Sequence, residues 1–306
     1  MRAGKDQLRW TAPIALRKTH AMTKTLISFG HGYSARALAR LLVPRGWTLY
    51  GTTRKPEKCA LLEAEGVIPI LWPDGDLSEA LNAATHILMS AAPGEEGDPV
   101  LARYGLEIAE IAERLSWAGY LSTTGVYGDH QGAWVDETAA LTPATRRGQM
   151  RVEAEREWAQ IPGLPLHIFR LAGIYGPGRG PFEKVRNGTA RRIIKPGQIF
   201  SRIHVEDIAQ VLAASTLRPN PGAAYNVCDN NPAPPQDVIG YAAELLGLPL
   251  PPEVSFEEAE MSPMARSFYA ESKKVDNTRI KEELGVDLIY PDYQTGLQAL
   301  LAADPG

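Results

Sequence analysis

Six consecutive residues, Gly30-His31-Gly32-Tyr33-Ser34-Ala35, have the types and spacing of a diphosphate-binding turn. The apolar run Leu26-Ile27-Ser28-Phe29 leads into them, and residues 35–42 continue with apolar positions at helical spacing. A strand, a glycine turn and a helix therefore follow one another. In such a unit the first glycine makes the tight turn, the second lets the backbone approach a pyrophosphate, and Ala35 lets helix and strand pack closely. The free N–H groups and the dipole at the helix start favour an anion. G-x-G-x-x-A alone is a weak pattern, and its flanking strand and helix are what give it weight.

The next strand selects between cofactors. A site for NAD usually carries Asp or Glu about 20 residues after the turn, to take the ribose 2′-hydroxyl. Here the strand ends Thr52-Thr53-Arg54-Lys55, without an acid. The Arg54 guanidinium suits the 2′-phosphate of NADP, as a bidentate fork or stacked on the adenine. NADP is the expected cofactor, with NAD as the alternative.

These residues need a frame, and the hydrophobic pattern supplies one. Strands are expected near residues 26–29, 47–53, 67–70, 86–90, 120–123 and 166–170, with helices between them. Asp98-Pro99 reads as a helix start, an acidic N-cap followed by proline at the first helical position. A second long helix is expected over residues 151–160. Regular alternation of this kind predicts an α/β fold, a Rossmann-type doubly wound parallel sheet covered on both faces. After Gly176 proline and glycine become dense, which points to a smaller, interleaved C-terminal substrate lobe. The expected division is residues 22–175 plus about 198–228 for the nucleotide-binding domain, and about 176–197 plus 229–306 for the lobe.

Composition narrows the partners. The chain has 306 residues, a net charge of −4, 44% hydrophobic and 22% charged residues. That balance is ordinary for a globular protein and argues against nucleic acid as a partner. No apolar run approaches the roughly 18 residues of a membrane span. Cys59 and Cys228 lie far apart and match neither a disulfide framework nor a metal site, so a cytoplasmic location and no metal are expected. Residues 1–21 are basic, with Asp6 as their single acid. They read as a leader that is disordered or precedes a start at Met22, with a targeting segment as the other reading.

Further along, the chain resembles the extended and atypical short-chain dehydrogenase/reductase group, the NAD-dependent epimerase/dehydratase-like proteins. Leu121-Ser122-Thr123-Thr124-Gly125-Val126-Tyr127-Gly128 is similar to the family's strand-five motif, and Arg170-Leu171-Ala172-Gly173-Ile174-Tyr175-Gly176-Pro177-Gly178 to its strand-six motif. Arg202-Ile203-His204-Val205-Glu206-Asp207 and Tyr225-Asn226-Val227 are later landmarks in the same order. The resemblance implies that Asp76 and Leu77 meet the adenine, that Ser90, Ala91 and Ala92 lie beside the cofactor, and that Thr123 contacts substrate. It also implies a small-molecule substrate and a homodimer through two long helices.

The resemblance breaks at the catalytic pair. The family uses Tyr-x-x-x-Lys on the helix after strand five, the tyrosine exchanging the substrate proton and the lysine lowering its pKa. Here the run is Arg147-Gly148-Gln149-Met150-Arg151, with arginine in both places. Arginine does not exchange protons near neutral pH. Three readings follow: Tyr127 substitutes as the acid; Arg147 and Arg151 hold an anionic substrate; or the chain binds NADP(H) without turnover. Arg151 is also placed to hold the cofactor's ribose or a phosphate. Arg179, Lys184, Arg186, Arg191, Arg192 and Lys195 read as a solvated face, or as contacts to an anionic substrate. His204 and Asp207 are expected to order the lobe junction, and the absence of a G-x-S-x-G elbow speaks against a hydrolase.

Overall fold

The computed structural model describes residues 24–304; the basic leader at residues 1–21 lies outside them. Its centre is a seven-stranded sheet. We number the strands β1 (Thr25–Phe29), β2 (Thr48–Thr53), β3 (Val67–Leu71), β4 (His86–Met89), β5 (Trp117–Thr123), β6 (Leu166–Leu171) and β7 (Ala224–Val227). Their order is β7-β6-β5-β4-β1-β2-β3, and every pairing is parallel. The chain builds outward from β1 to β3, then crosses back to lay β4 on the other side of β1. That reversal leaves a crevice between the carboxyl ends of β1 and β4, the place where open α/β sheets bind ligands.

The strands read as continuous apolar runs because both faces are covered: β1 and β4 are buried throughout. Successive side chains serve opposite layers. Leu26 shares a core cluster with Leu38 and Leu42 of helix α1 (Tyr33–Leu42) and with Ile208 and Leu212 of the helix Val205–Leu217. Ile27 and Phe29 turn the other way, onto Val100, Tyr104 and Ile108 of α2 (Pro99–Ile111) and Trp158 of α3 (Arg146–Ala159). The expected start of α2 is present: Asp98 Oδ1 accepts from the Val100 and Leu101 N–H groups at 2.8 and 3.2 Å. Its other oxygen accepts from Trp158 Nε1 at 3.1 Å, which ties α2 to α3.

Two boundaries differ from expectation. β5 begins at Trp117 rather than Tyr120, and α3 begins at Arg146 rather than Arg151. The early start of α3 comes from Thr145, whose side chain caps it by accepting from the Gly148 N–H at 3.1 Å. The first turn, Arg146-Arg147-Gly148, has no apolar periodicity to announce it.

Outside the sheet, Phe182, Val185, Val238, Ala242, Tyr293 and Leu297 belong to a separate apolar cluster in the C-terminal part of the chain. Asp207 fastens this part to the sheet layer: its carboxylate accepts from the Ile289 and Tyr290 N–H groups at 2.7 and 3.1 Å. His204 caps the same helix through the Glu206 N–H at 3.3 Å. Among the described residues no helix is long and apolar enough to cross a membrane.

Candidate active site

A cleft of about 1290 Å³ opens at the carboxyl ends of β1, β4, β5 and β6. Gly30, Gly32, Tyr33 and Ser34 form one end of it, with Ser90 beside them. Gly30 has φ +78°, the left-handed region, and a Cβ there would meet the Ala91 amide nitrogen at 2.8 Å. Ala91 is thus a packing partner of the turn. Gly32 has ordinary φ, and a Cβ built on it would meet nothing nearer than the Gly30 carbonyl at 3.7 Å. Gly32 also stands at the N-cap of α1 with no side chain capping the helix. An uncapped helix start facing open space fits a diphosphate, which would accept from those N–H groups. Ala35 is buried, as close packing of α1 on the sheet requires.

Other turn residues hold the cleft's shape. Tyr33 donates its hydroxyl to the Pro177 carbonyl at 2.9 Å, and the Arg179 guanidinium lies 4.3 Å from the centre of its ring. The His31 side chain does not reach the cleft. It turns inward beneath β2, where a Cβ on Gly51 would meet it at 2.8 Å. Burial holds its pKa down at about 4, so the ring is neutral there. Leu77 likewise packs in the core rather than outward. At both positions the side chain serves the core, which leaves only the backbone of His31 and Leu77 for the contacts expected there. Arg54, Asp76 and Ala92 are exposed and stand outside the cleft's lining, Arg54 directly after β2 and Asp76 after β3. Hydrogen bonds from the Ser78 hydroxyl and then from its N–H, at 2.8 Å, lower the pKa of the Asp76 carboxylate.

At the other end the cleft brings together Thr123, Arg147 and Arg151. Gly148 makes this approach possible, since a Cβ there would meet Pro143 Cβ at 2.7 Å and the Gly125 carbonyl at 2.8 Å. The Thr123 hydroxyl accepts from the Gly125 N–H at 3.2 Å. Arg151 is held by the β5 strand, donating to the Leu121 carbonyl and to the Tyr120 hydroxyl at 3.3 Å. Arg147 differs: no hydrogen-bond acceptor or ion-pair partner faces it among the described residues, and its guanidinium lies 5.0 Å from the centre of the Phe268 ring. The pair is therefore one anchored cation and one free cation beside a hydroxyl, a set whose charge and donors suit an oxyanion and whose guanidiniums do not exchange protons near neutral pH. Of the six cations expected on a solvated face or as contacts to an anionic substrate, Arg179, Lys184 and Arg191 also line the cleft, whereas Arg186, Arg192 and Lys195 do not.

Tyr127 is not at this site. It is fully buried, donates to Asn226 Oδ1 at 2.7 Å and accepts from Arg170 Nη1 at 3.0 Å. Burial pushes its pKa up to about 12, the opposite of an activated phenol. The expectation that Tyr127 supplies the missing acid is corrected by this placement. Tyr127→Phe is expected to leave NADPH affinity unchanged and to destabilise the fold by about 1–3 kcal/mol, because it strands buried polar partners. Thermal melts and a cofactor titration of the variant check both halves.

Sequence reasoning missed what lies behind the site. Arg170 on β6 and Glu155 on α3 form a buried ion pair at 2.9 Å, with side chains 7% and 5% exposed. Glu155 also accepts from the Ser122 hydroxyl, one residue before Thr123. Glu155 is four residues after Arg151, one helical turn along the same face. The pair therefore sets α3 against the end of β5, and with it the spacing of Arg151 from Thr123. The signal available was Arg170 itself, a full charge in a strand whose other residues are apolar apart from His167.

No family model matches the chain. Protein YeeZ of Escherichia coli (strain K12) is 30% identical over 283 residues, covering 88% of this chain and 97% of YeeZ. A conserved protein of unknown function from Silicibacter pomeroyi DSS has a solved structure at 63% identity and a TM-score of 0.88, covering 92% of this chain and 99% of that one. A Methylobacillus flagellatus protein provisionally named an NAD-dependent epimerase/dehydratase is 26% identical with a TM-score of 0.66, over 92% and 99% of the two chains. With its sheet order, glycine turn and strand-five and strand-six motifs, this chain belongs to the same family as YeeZ, within the NAD-dependent epimerase/dehydratase-like group of short-chain dehydrogenases/reductases.

Proposed function

We propose that the chain binds NADP(H) at the Gly30–Ala35 turn and carries out oxidoreductase or epimerase-type chemistry on a small anionic substrate. The observation that carries the reading is the uncapped start of α1, with open space at Gly32, at one end of the same cleft that ends in Thr123, Arg147 and Arg151. A bound nicotinamide would supply or accept a hydride. The chain's own part is to hold the diphosphate on the α1 N–H groups, to pair an oxyanion of the substrate with Arg147 and Arg151, and to offer it the Thr123 hydroxyl. Two guanidiniums stabilise negative charge developing on a substrate oxygen without giving up a proton. The proton would then come from outside the Arg147–Arg151 pair.

The preference for NADP rests on Arg54 and on the lack of an acid at the end of β2. Arg54→Ala is expected to weaken NADPH binding by about 1.5–3 kcal/mol, roughly 10- to 150-fold, and to leave NADH unchanged. Identical NADPH and NADH titrations of the unaltered protein would sink the preference.

A second reading, a non-catalytic NADP(H)-binding regulator, is favoured by the arginine at position 147 together with the sealing of Tyr127 in the core. A panel of carbonyl, hydroxy-acid and sugar compounds, assayed for NADPH oxidation or NADP reduction, separates the two. Tight cofactor binding without turnover on any of them supports the regulator.

A further inference from the structure

The two walls of the substrate end differ in chemistry. One carries Arg147 and Arg151 on α3, beside Thr123. The other is a short helix from the C-terminal part of the chain, Pro263–Phe268, which has no buried residue. Met264 and Phe268 line the cleft from this helix and are 64% and 49% exposed, large apolar side chains left open to solvent over much of their surface. The helix is fixed from behind. Ser262 caps it by accepting from the Ala265 N–H at 3.2 Å, and Arg266 donates to the Ala259 carbonyl at 2.7 Å. Its apolar side chains are thus held toward the cleft, with Phe268 beside the Arg147 guanidinium, which has no acceptor among the described residues.

Beyond Arg151, four further cleft cations make contacts of their own, while the Lys184 ammonium, like Arg147, has no acceptor among the described residues. Arg179 stacks on Tyr33, Arg191 donates to the Gly188 and Ala190 carbonyls, Arg202 donates to the Phe200 and Ala233 carbonyls, and Lys273 pairs with Glu271 at 2.7 Å. Where α3 faces the short helix, the site leaves the Arg147 charge without an acceptor beside an apolar surface. A purely polar anion would pair with Arg147 and leave Met264 and Phe268 wet. A neutral apolar compound would cover them and leave Arg147 facing an uncharged group.

From this juxtaposition we infer that the substrate is an amphiphilic carboxylate, its head on Arg147 and Arg151 and an aryl or branched-alkyl body on Met264 and Phe268. The inference rests on the proposed function and sharpens its anionic substrate to one class. An aromatic body is favoured over an alkyl one because it extends the stack that Arg147 already makes with Phe268.

The test uses three unreactive probes on the full chain, 3-phenylpropionate, propionate and 3-phenylpropanol, titrated with and without NADPH by saturation-transfer NMR. The expected result is that 3-phenylpropionate binds at least ten times more tightly than either of the others. Arg147→Ala should reduce it to the level of 3-phenylpropanol, and Phe268→Ala to the level of propionate. Both side chains are exposed at the cleft, so circular dichroism should show both variants folded; Met264→Ser is a second change on the apolar wall with the same expected direction. Equal binding of the three probes, or no response to any variant, overturns the inference. Because NADPH is titrated separately, indifferent probes on a protein that binds NADPH remove this substrate class and leave the function standing. Selective probe binding without NADPH binding keeps the class and removes the cofactor reading.

Discussion

Arg170→Met is expected to destabilise the protein by about 3–5 kcal/mol, the usual cost of leaving one charge of a buried pair without its partner. Glu155 and Arg170 are almost fully enclosed, so little solvent is available to take over when one is removed. Arg170 also donates to the Tyr127 hydroxyl and Glu155 accepts from Ser122, so one substitution disturbs both β5 and α3. The double variant Arg170→Met, Glu155→Leu should recover part of the loss, since no naked charge remains. Recovery should be incomplete because Ser122 would lack its acceptor and the Tyr127 hydroxyl would lose the donor it has in Arg170. Thermal and urea unfolding of the two variants check this. A single variant as stable as the unaltered protein would mean that water or backbone rearrangement satisfies Glu155. If the pair sets the spacing of Arg151 from Thr123, the double variant should also bind 3-phenylpropionate more weakly even where its stability is restored.

Much of the frame was legible because it is encoded locally. The apolar runs of β1 and β4, the Asp98-Pro99 start of α2 and the glycine turn each lie within a dozen residues, and periodicity or capping chemistry reveals such segments. The start of α3 was missed because its cap, Thr145, precedes two arginines and a glycine rather than an apolar stripe. Within the cleft, motifs singled out the glycine turn and Thr123, Arg147 and Arg151, but not what surrounds the two arginines. The substrate end depends on contacts between distant segments: Phe268 meets Arg147 from a helix much later in the chain, and Arg170 finds Glu155 across two elements. Tyr127 shows the limit of a motif. The motif fixed its position in the chain, but the turn after β5 directs the phenol inward to Asn226 and Arg170. His31 is similar, a turn residue whose backbone belongs to the cradle and whose ring belongs to the interior.

Gly32→Val should abolish detectable NADPH binding while the fold survives. At Gly32, φ is −102° and ψ −151°, a backbone any residue adopts, and its Cβ direction is open. A valine there would occupy the space in front of the α1 N–H groups. Losing two charge-assisted hydrogen bonds to a diphosphate, at about 1.5–3 kcal/mol each, weakens binding by roughly 100-fold or more. Gly30 provides the contrast. It needs a left-handed φ of +78°, and an alanine Cβ would press on the Ala91 amide at 2.8 Å. Gly30→Ala should therefore cost about 1–2 kcal/mol of strain before any contact is counted, and lose stability and binding together. The two glycines are told apart by one measurement, the thermal shift produced by NADPH. At a ligand concentration about 100 times its Kd, the unaltered protein should gain about 2.7 kcal/mol. Gly32→Val should melt where the unaltered apoprotein melts and show no shift. Gly30→Ala should melt lower from the outset. A normal NADPH shift in Gly32→Val would place the diphosphate elsewhere and reduce the glycine turn to a packing device.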